Sequence, residues 1–229
     1  MARSELEVPS TLLTVTAHSR HNISDRSLLL LFGVIVGTAL VAAIDAYSLS
    51  IWALEVAPIA IVLPVLWFSR TWMRFTPLLY GLIAAHCLIL IVGAHWSYEH
   101  VPIGDWLNHA LGWKRNNYDR LGHFAQGFVP ALAAREVFIR RTELTSRRLV
   151  TFLALFVAMG ASAIYEIVEM LLALTGGGAS KVDNQGDIWD PEWDMFFCLC
   201  GALMSLTLLR GIHDRQIAAC DDDPVSTAV

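Results

Sequence analysis

Residues 27–48 read SLLLLFGVIVGTALVAAIDAYS, an apolar run interrupted by one acid, Asp45. Two further runs follow at 51–68, IWALEVAPIAIVLPVLWF, and 77–94, PLLYGLIAAHCLILIVGA. A segment of about twenty apolar residues matches the hydrocarbon thickness of a bilayer. Inside that layer every backbone group needs an internal partner, so such runs fold as helices. Their recurrence excludes most soluble architectures. Composition agrees: 55% of residues are hydrophobic, 16% are charged and mean hydropathy is +0.53. A soluble domain carries about a quarter charged residues.

A weaker fourth candidate follows near 120–138, then a fifth near 150–174 and a sixth near 192–210. The sequence predicts an all-α polytopic membrane protein with six transmembrane helices. It divides into a mobile tail over 1–26, a helical domain over 27–210 and an acidic, disordered tail over 211–229. The first run lacks a clean cleavage site, so we expect it to be retained as a span. Pro58 and Pro64 predict kinks in the second span, which packed membrane helices tolerate. Cys87, Cys198, Cys200 and Cys220 are too few for a disulfide scaffold, and Cys198-x-Cys200 puts its sulfurs on opposite sides of a helix.

Six spans place twelve of the sixteen basic residues on one side. Arg3, Arg20, Arg26, Arg70, Arg74, Arg135, Arg140, Arg141, Arg147, Arg148, Arg210 and Arg215 stand against Lys114, Arg115, Arg120 and Lys181. The positive-inside rule then puts both termini in the cytoplasm and the chain in a bacterial inner membrane. Two long loops, 95–119 and 175–191, face outward. Tryptophans at their edges fit an interfacial aromatic belt. Gly176-Gly177-Gly178 reads as a hinge that folds NQGDIWD over the outer surface. The arginines near 140–148 are read as a topology signal and not as a nucleic-acid surface. The partner implied throughout is the lipid bilayer; nothing in the sequence sets an oligomeric state.

The outer ends of the last three spans depart from this apolar pattern. YDRLGHFAQG, Tyr118–Gly127, opens the fourth span with Asp119, Arg120 and His123. Asp119 and His123 are four residues apart and share a helix face, which Gln126 continues. YEIVEM puts Tyr165, Glu166 and Glu169 in the outer half of the fifth span. DIWDPEWDM leads into the sixth with Asp187, Asp190, Glu192 and Asp194. The topology brings His123, Glu166, Glu169, Asp190 and Asp194 to one depth.

Ionisable groups inside a membrane are costly and mark function by default. Plainer readings stand beside this. Asp190 before Pro191 suits a helix N-cap, Glu192 a solvated loop acid, His86 a satisfied core histidine, and Asp45 and Glu55 the interface. As a site, the cluster offers Asp119, His123, Glu166 and Glu169 as catalytic groups. Arg120, Gln126 and Tyr165 are substrate contacts, with Arg120 suited to a phosphate. His123, Glu166, Glu169, Asp190 and Asp194 are candidate ligands of a divalent metal ion. The substrate expected is a lipid-linked or envelope phosphate compound. Two other readings compete: a proton- or ion-coupled transporter, and a structural protein whose polar cluster is an internal lock.

YDRLGHFAQG, YEIVEM and DNQGDIWDPEWDM together resemble the YjdF-like family of bacterial inner-membrane proteins, from the first span to the sixth. That family is multi-spanning and has no assigned reaction. A looser similarity reaches the VanZ-like proteins, in which an Asp-Lys-x-x-His-Phe stretch opens one helix. Here Asp119, His123 and Phe124 match it, with Arg120 in place of Lys. Tyr165, Glu166 and Glu169 resemble the Glu-rich helix that follows. Asp194 and Gly201 match the third helix, where Cys198 replaces an Asn. This likeness implies a shared helical core over 118–205.

Overall fold

The computed structural model describes residues 23–174 and 187–221. Eight helices account for almost all of them: α1 (Asp25–Ala43), α2 (Leu49–Ser69), α3 (Pro77–Trp96), α4 (Pro102–Leu111), α5 (Tyr118–Arg141), α6 (Arg147–Leu174), α7 (Asp190–Leu208) and α8 (Arg210–Asp221). No strand occurs among the described residues. Most of the N-terminal tail, the glycine triplet at 176–178 and residues 222–229 lie outside them.

Four helices, α1, α2, α3 and α6, are long and apolar enough to cross a membrane, and α7 with α8 forms a fifth candidate bent by 64°. The structure thus supports a polytopic helical membrane protein. The expected fourth span corresponds to α5, which at 24 residues has the length of a span but not the hydropathy. Its packing explains why. α5 lies at the centre, most heavily against α7, then α6 and α3. Residues that never meet lipid need not be apolar. By contrast, α1, α2 and α6 expose Leu30, Val34, Ile61, Val65, Phe152, Phe156 and Leu171, an apolar surface suited to hydrocarbon.

Close approach of α5 to α7 depends on two glycines. A Cβ on Gly127 would stand 1.8 Å from the Cys198 carbonyl oxygen, and one on Gly201 would stand 2.0 Å from that of Phe124. Small residues at such crossings let membrane helices pack backbone to backbone. This contact carries His123, one turn before Gly127, toward Asp194, one turn before Cys198.

At the arginine-rich end the polar groups are buried and paired. Glu136 is fully buried. Its Oε1 accepts from the Thr76 backbone N–H and from Arg140 Nη1, both at 2.9 Å; its Oε2 accepts from Thr76 Oγ1 and faces His213 Nε2, also at 2.9 Å. Arg135 Nη1 lies 3.0 Å from His213 Nδ1, and its Nη2 donates to Asp214 at 2.5 Å. Arg135 can only donate, so His213 accepts at Nδ1 and donates from Nε2 to Glu136. Burial raises the Asp214 carboxyl, but Arg135, Arg147 and Arg210 outweigh it and hold the group below its ordinary value. Arg70 and Arg141 stack on Trp67 and Trp72.

Several expectations are corrected here. Asp25 and Arg26 belong to α1, with Ser24 as its N-cap; Asp25 pairs with Arg74. The disordered tail expected from 211 is instead α8 up to Asp221, which buries His213, Ile217 and Cys220. Gln216 accepts from the Leu78 backbone N–H at 2.9 Å, so α8 is anchored by polar contacts that hydropathy does not register. Arg135 and Arg140 are internal ion-pair partners and not merely charges at a membrane face. The connection between α3 and α5 contains α4, with Ile103, Trp106 and Leu111 exposed. Their spacing makes one apolar stripe, the signature of a helix lying in the membrane interface.

Candidate functional site

The acidic end of the bundle is built by α2, α3, α5, α6 and α7. Asn116 sets the start of α5: its Nδ2 donates to the Val101 carbonyl and to Asp105, and its Oδ1 accepts from the Tyr118 backbone N–H. From there the helical repeat puts Asp119 and His123 on one face. His123 Nε2 lies 3.6 Å from Asp119 Oδ1 and 3.9 Å from Asp194 Oδ2. One donor atom from each of these three residues falls within 4.8 Å of the others. These gaps exceed a hydrogen bond. An ion bound at about 2.1 Å to nitrogen and oxygen holds its ligands about 3–4 Å apart, and the two separations from His123 Nε2 fall in that range.

The other face of the imidazole meets Glu166: His123 Nδ1 lies 3.6 Å from its Oε1. Metal-ligating histidines usually give their second nitrogen to a carboxylate, which fixes tautomer and ring plane. His123 and Asp194 are nearly inaccessible, at 5% and 3% exposure. Even so, His123 Nδ1, Asp194 Oδ1, Glu166 Oε1 and the nearby Ser162 Oγ are buried without a hydrogen-bond partner. Buried polar groups are paired in the great majority of cases, so a cluster of orphans points to an absent ligand.

Behind the trio lies a cavity of about 90 Å³ lined by Glu55, His86, Tyr98, Asp119, Gln126, Tyr165 and Glu169 among others. Tyr165 donates to Glu55 at 2.9 Å, and its ring meets His123 edge-on at 6.1 Å. Asp119 and His123 line this cavity and also supply the trio, so the two spaces share a wall. Ahead of α5, Arg115 Nη1 donates to Asp190 at 2.5 Å and lies 3.7 Å from Asp187. Burial opposes its charge, but Asp190, Asp119 and Asp194 keep Arg115 more firmly protonated than usual. Arg120 pairs with Asp187 at 3.3 Å and sits over Trp193 and Phe197.

The structure therefore brings together Asp119, His123 and Asp194, with Glu166 against the imidazole. Glu169, Gln126 and Tyr165 line the cavity, while Asp190 and Arg120 are ion-paired with Arg115 and Asp187. Glu166, Glu169 and Asp190 do not join the three-donor group. Asp190 does not cap α7, whose N-cap residue Trp189 makes no side-chain cap bond. Glu192 is exposed as expected, but it stands in the first turn of α7 and not in a loop. Two plain readings fail: Glu55 is 6% exposed and belongs to the cavity, and His86 Nε2 is buried without a partner. Arg115 and Tyr98 were not anticipated. Glu55 carried a usable signal, an acid inside an apolar run; Arg115 carried none.

The family described as predicted membrane protein (DUF2238) matches residues 27–215. The chain belongs to this family. It is also 44% identical over 176 residues to Inner membrane protein YjdF of Escherichia coli (strain K12), spanning 76% of this chain and 84% of that protein. No solved structure matches. The matched DUF2238 region contains the acidic site and most of the arginine-rich network. Together with the apolar helices, these likenesses make the chain a multi-pass inner-membrane protein.

Proposed function

We propose that this protein carries a single divalent metal ion on Asp119, His123 and Asp194, at an outward-facing site of the inner membrane. There it binds or hydrolyses a lipid-linked or envelope small molecule. The observation that carries the reading is the convergence of three donors, two of them almost wholly buried, with unpaired atoms and metal-like spacing. Two carboxylates and one imidazole balance a divalent charge and leave coordination positions open. Asp119, His123 and Asp194 would hold the ion, which when bound would supply polarisation of a substrate oxygen and acidification of water. His123 would bind through Nε2, with Glu166 Oε1, 3.6 Å from Nδ1, placed to steady the ring. The cavity beside it gives water and leaving protons a polar space, with Glu169, Glu55 and Tyr165 as its exchangeable groups. The core over 118–205 that resembles VanZ-like proteins coincides with α5, α6 and α7; α5 and α7 supply the three donors and α6 supplies Glu166.

Six spans suit this arrangement. α5, sheltered by its neighbours, and α7 complete the bundle, both termini are cytoplasmic, and the acidic end faces outward. The lock reading fits the site less well than it fits the opposite end. Around Glu136 every carboxylate oxygen has a partner, whereas Glu166 and Asp194 each keep one oxygen unpaired. The test is purification of the full chain followed by dialysis, metal analysis and thermal unfolding with and without EDTA. Retained metal with a lower Tm in EDTA is expected. Metal-free protein indifferent to both EDTA and added divalent ions would refute the proposal.

A further inference from the structure

We infer that Arg115 and Arg120 form an anion subsite beside the metal trio, and that its ligand is a phosphate group. This inference rests on the metal reading above and extends it to a substrate class. Both guanidinium groups face one oxygen, Asp187 Oδ2, from 3.7 and 3.3 Å, which sets them side by side. Neither is used up by its carboxylates. Arg115 Nε and Nη2 and Arg120 Nε are buried with no hydrogen-bond partner. Buried N–H donors without acceptors are costly, and a guanidinium fork matches the oxygens of phosphate.

Placement links this fork to the trio. Arg115 lies close enough to Asp119 and Asp194 for their charges to act on it. Asp190, which Arg115 holds, begins the first turn of α7, and Asp194 follows one turn later. A tetrahedral phosphate has oxygens enough to enter an open metal position while facing both arginines. A carboxylate, with two oxygens, cannot satisfy both sides as fully. Charge makes the binding conditional. Without a cation, Asp119, Asp187, Asp190, Asp194 and Glu166 surround the arginines and repel phosphate. With the ion in place, two of these carboxylates are neutralised and the free guanidinium donors dominate. Metal and phosphate should therefore bind each other's complex more tightly than the free protein, and each should promote the other equally.

The chemistry is the same for a soluble phosphate and for a lipid headgroup, so the experiment separates them. The full chain is reconstituted in phosphatidylcholine nanodiscs and titrated with Mn²⁺, with and without inorganic phosphate. A parallel set of nanodiscs contains phosphatidic acid. Mn²⁺ affinity should rise about tenfold in at least one arm, the worth of one charge-assisted contact. The responding arm names the source. Arg115→Gln and Arg120→Gln should each abolish most of the rise, although Mn²⁺ alone still binds. Arg115→Lys, which keeps the charge and loses the fork, should retain part of it and serves if Arg115→Gln fails to fold. Mn²⁺ binding without a rise in either arm would overturn the phosphate subsite and leave the metal reading standing. So would a rise that survives both arginine substitutions. Failure to bind Mn²⁺ at all would overturn the metal reading and this inference with it.

Discussion

Two polar clusters in one bundle differ at the level of single atoms. Glu136 has each oxygen doubly engaged by Thr76, Arg140 and His213. Asp194, Glu166 and His123 each keep a buried polar atom idle. Paired groups stabilise; idle ones cost stability and are retained for something else. Asp194→Asn should therefore leave the metal-free protein as stable or up to about 2 kcal/mol more stable, while removing metal binding. Thermal unfolding in EDTA and a metal titration report the two effects. At the other cluster, His213→Ala deprives buried Glu136 of a donor and should cost about 2–3 kcal/mol, read from the Tm in detergent. Asp214 sets an acid limit. Its carboxyl is held below the ordinary value of 3.8, so its stabilising effect is fully present above that value and is lost as pH falls through the lowered one. Asp214→Asn should lower Tm at pH 7 and narrow its gap to wild type below about pH 4. A gap that stays constant with pH would contradict the assignment.

Legibility from sequence differed between these residues for physical reasons. Asp119, His123 and Asp194 were visible because each is ionisable within an otherwise apolar helix, at spacings that share a face. Arg115 was invisible because it precedes α5 in a polar loop, where a basic residue needs no explanation. Arg135 and Arg140 were misread because a buried ion-pair partner and a positive-inside charge look identical in a string. Glu55 was misplaced for want of depth: only the packing of α2 on the bundle shows which way its side chain points. The expected ligand set loses Glu166, Glu169 and Asp190 and gains Asp119, because helical phase alone does not separate Glu166, against the imidazole, from Glu169, in the cavity.

At the level of elements, the decisive contact is α5 against α7. Gly127 and Gly201 each lie where any Cβ would strike the opposing backbone, and backbone cannot yield as a side chain can. Gly127→Val or Gly201→Val should cost about 3 kcal/mol or prevent assembly, and should abolish metal binding by separating His123 from Asp194. Gly33→Val, at a glycine whose Cβ meets nothing within 4 Å, is the matched control and should do neither. α5 also shows why span counting by hydropathy falls short. A central helix is free to be polar, so the most functional helix has the weakest membrane signal. α8 is the reverse case: a segment read as tail is ordered by His213 and Gln216, whose partners come from distant parts of the chain.

For the whole molecule, charge and depth give one consistent polarity. Arginines collect at one end, stacked on Trp67 and Trp72, and the acid-rich site lies at the other, bordered by the apolar stripe of α4. Our six-span proposal predicts that alkaline phosphatase fused after residue 112 is active, whereas a fusion at the C-terminus is inactive and a fluorescent protein there glows. The opposite pattern would invert the account and turn the site to the cytoplasm. The central claim concerns the ion itself, and X-ray absorption at the edge of the bound metal addresses it most directly. The account predicts nitrogen and oxygen neighbours at about 2.0–2.2 Å, with the scattering signature of one imidazole that vanishes in His123→Ala and persists in Glu169→Gln. A spectrum without imidazole, one with sulfur neighbours, or no bound metal to record would contradict it.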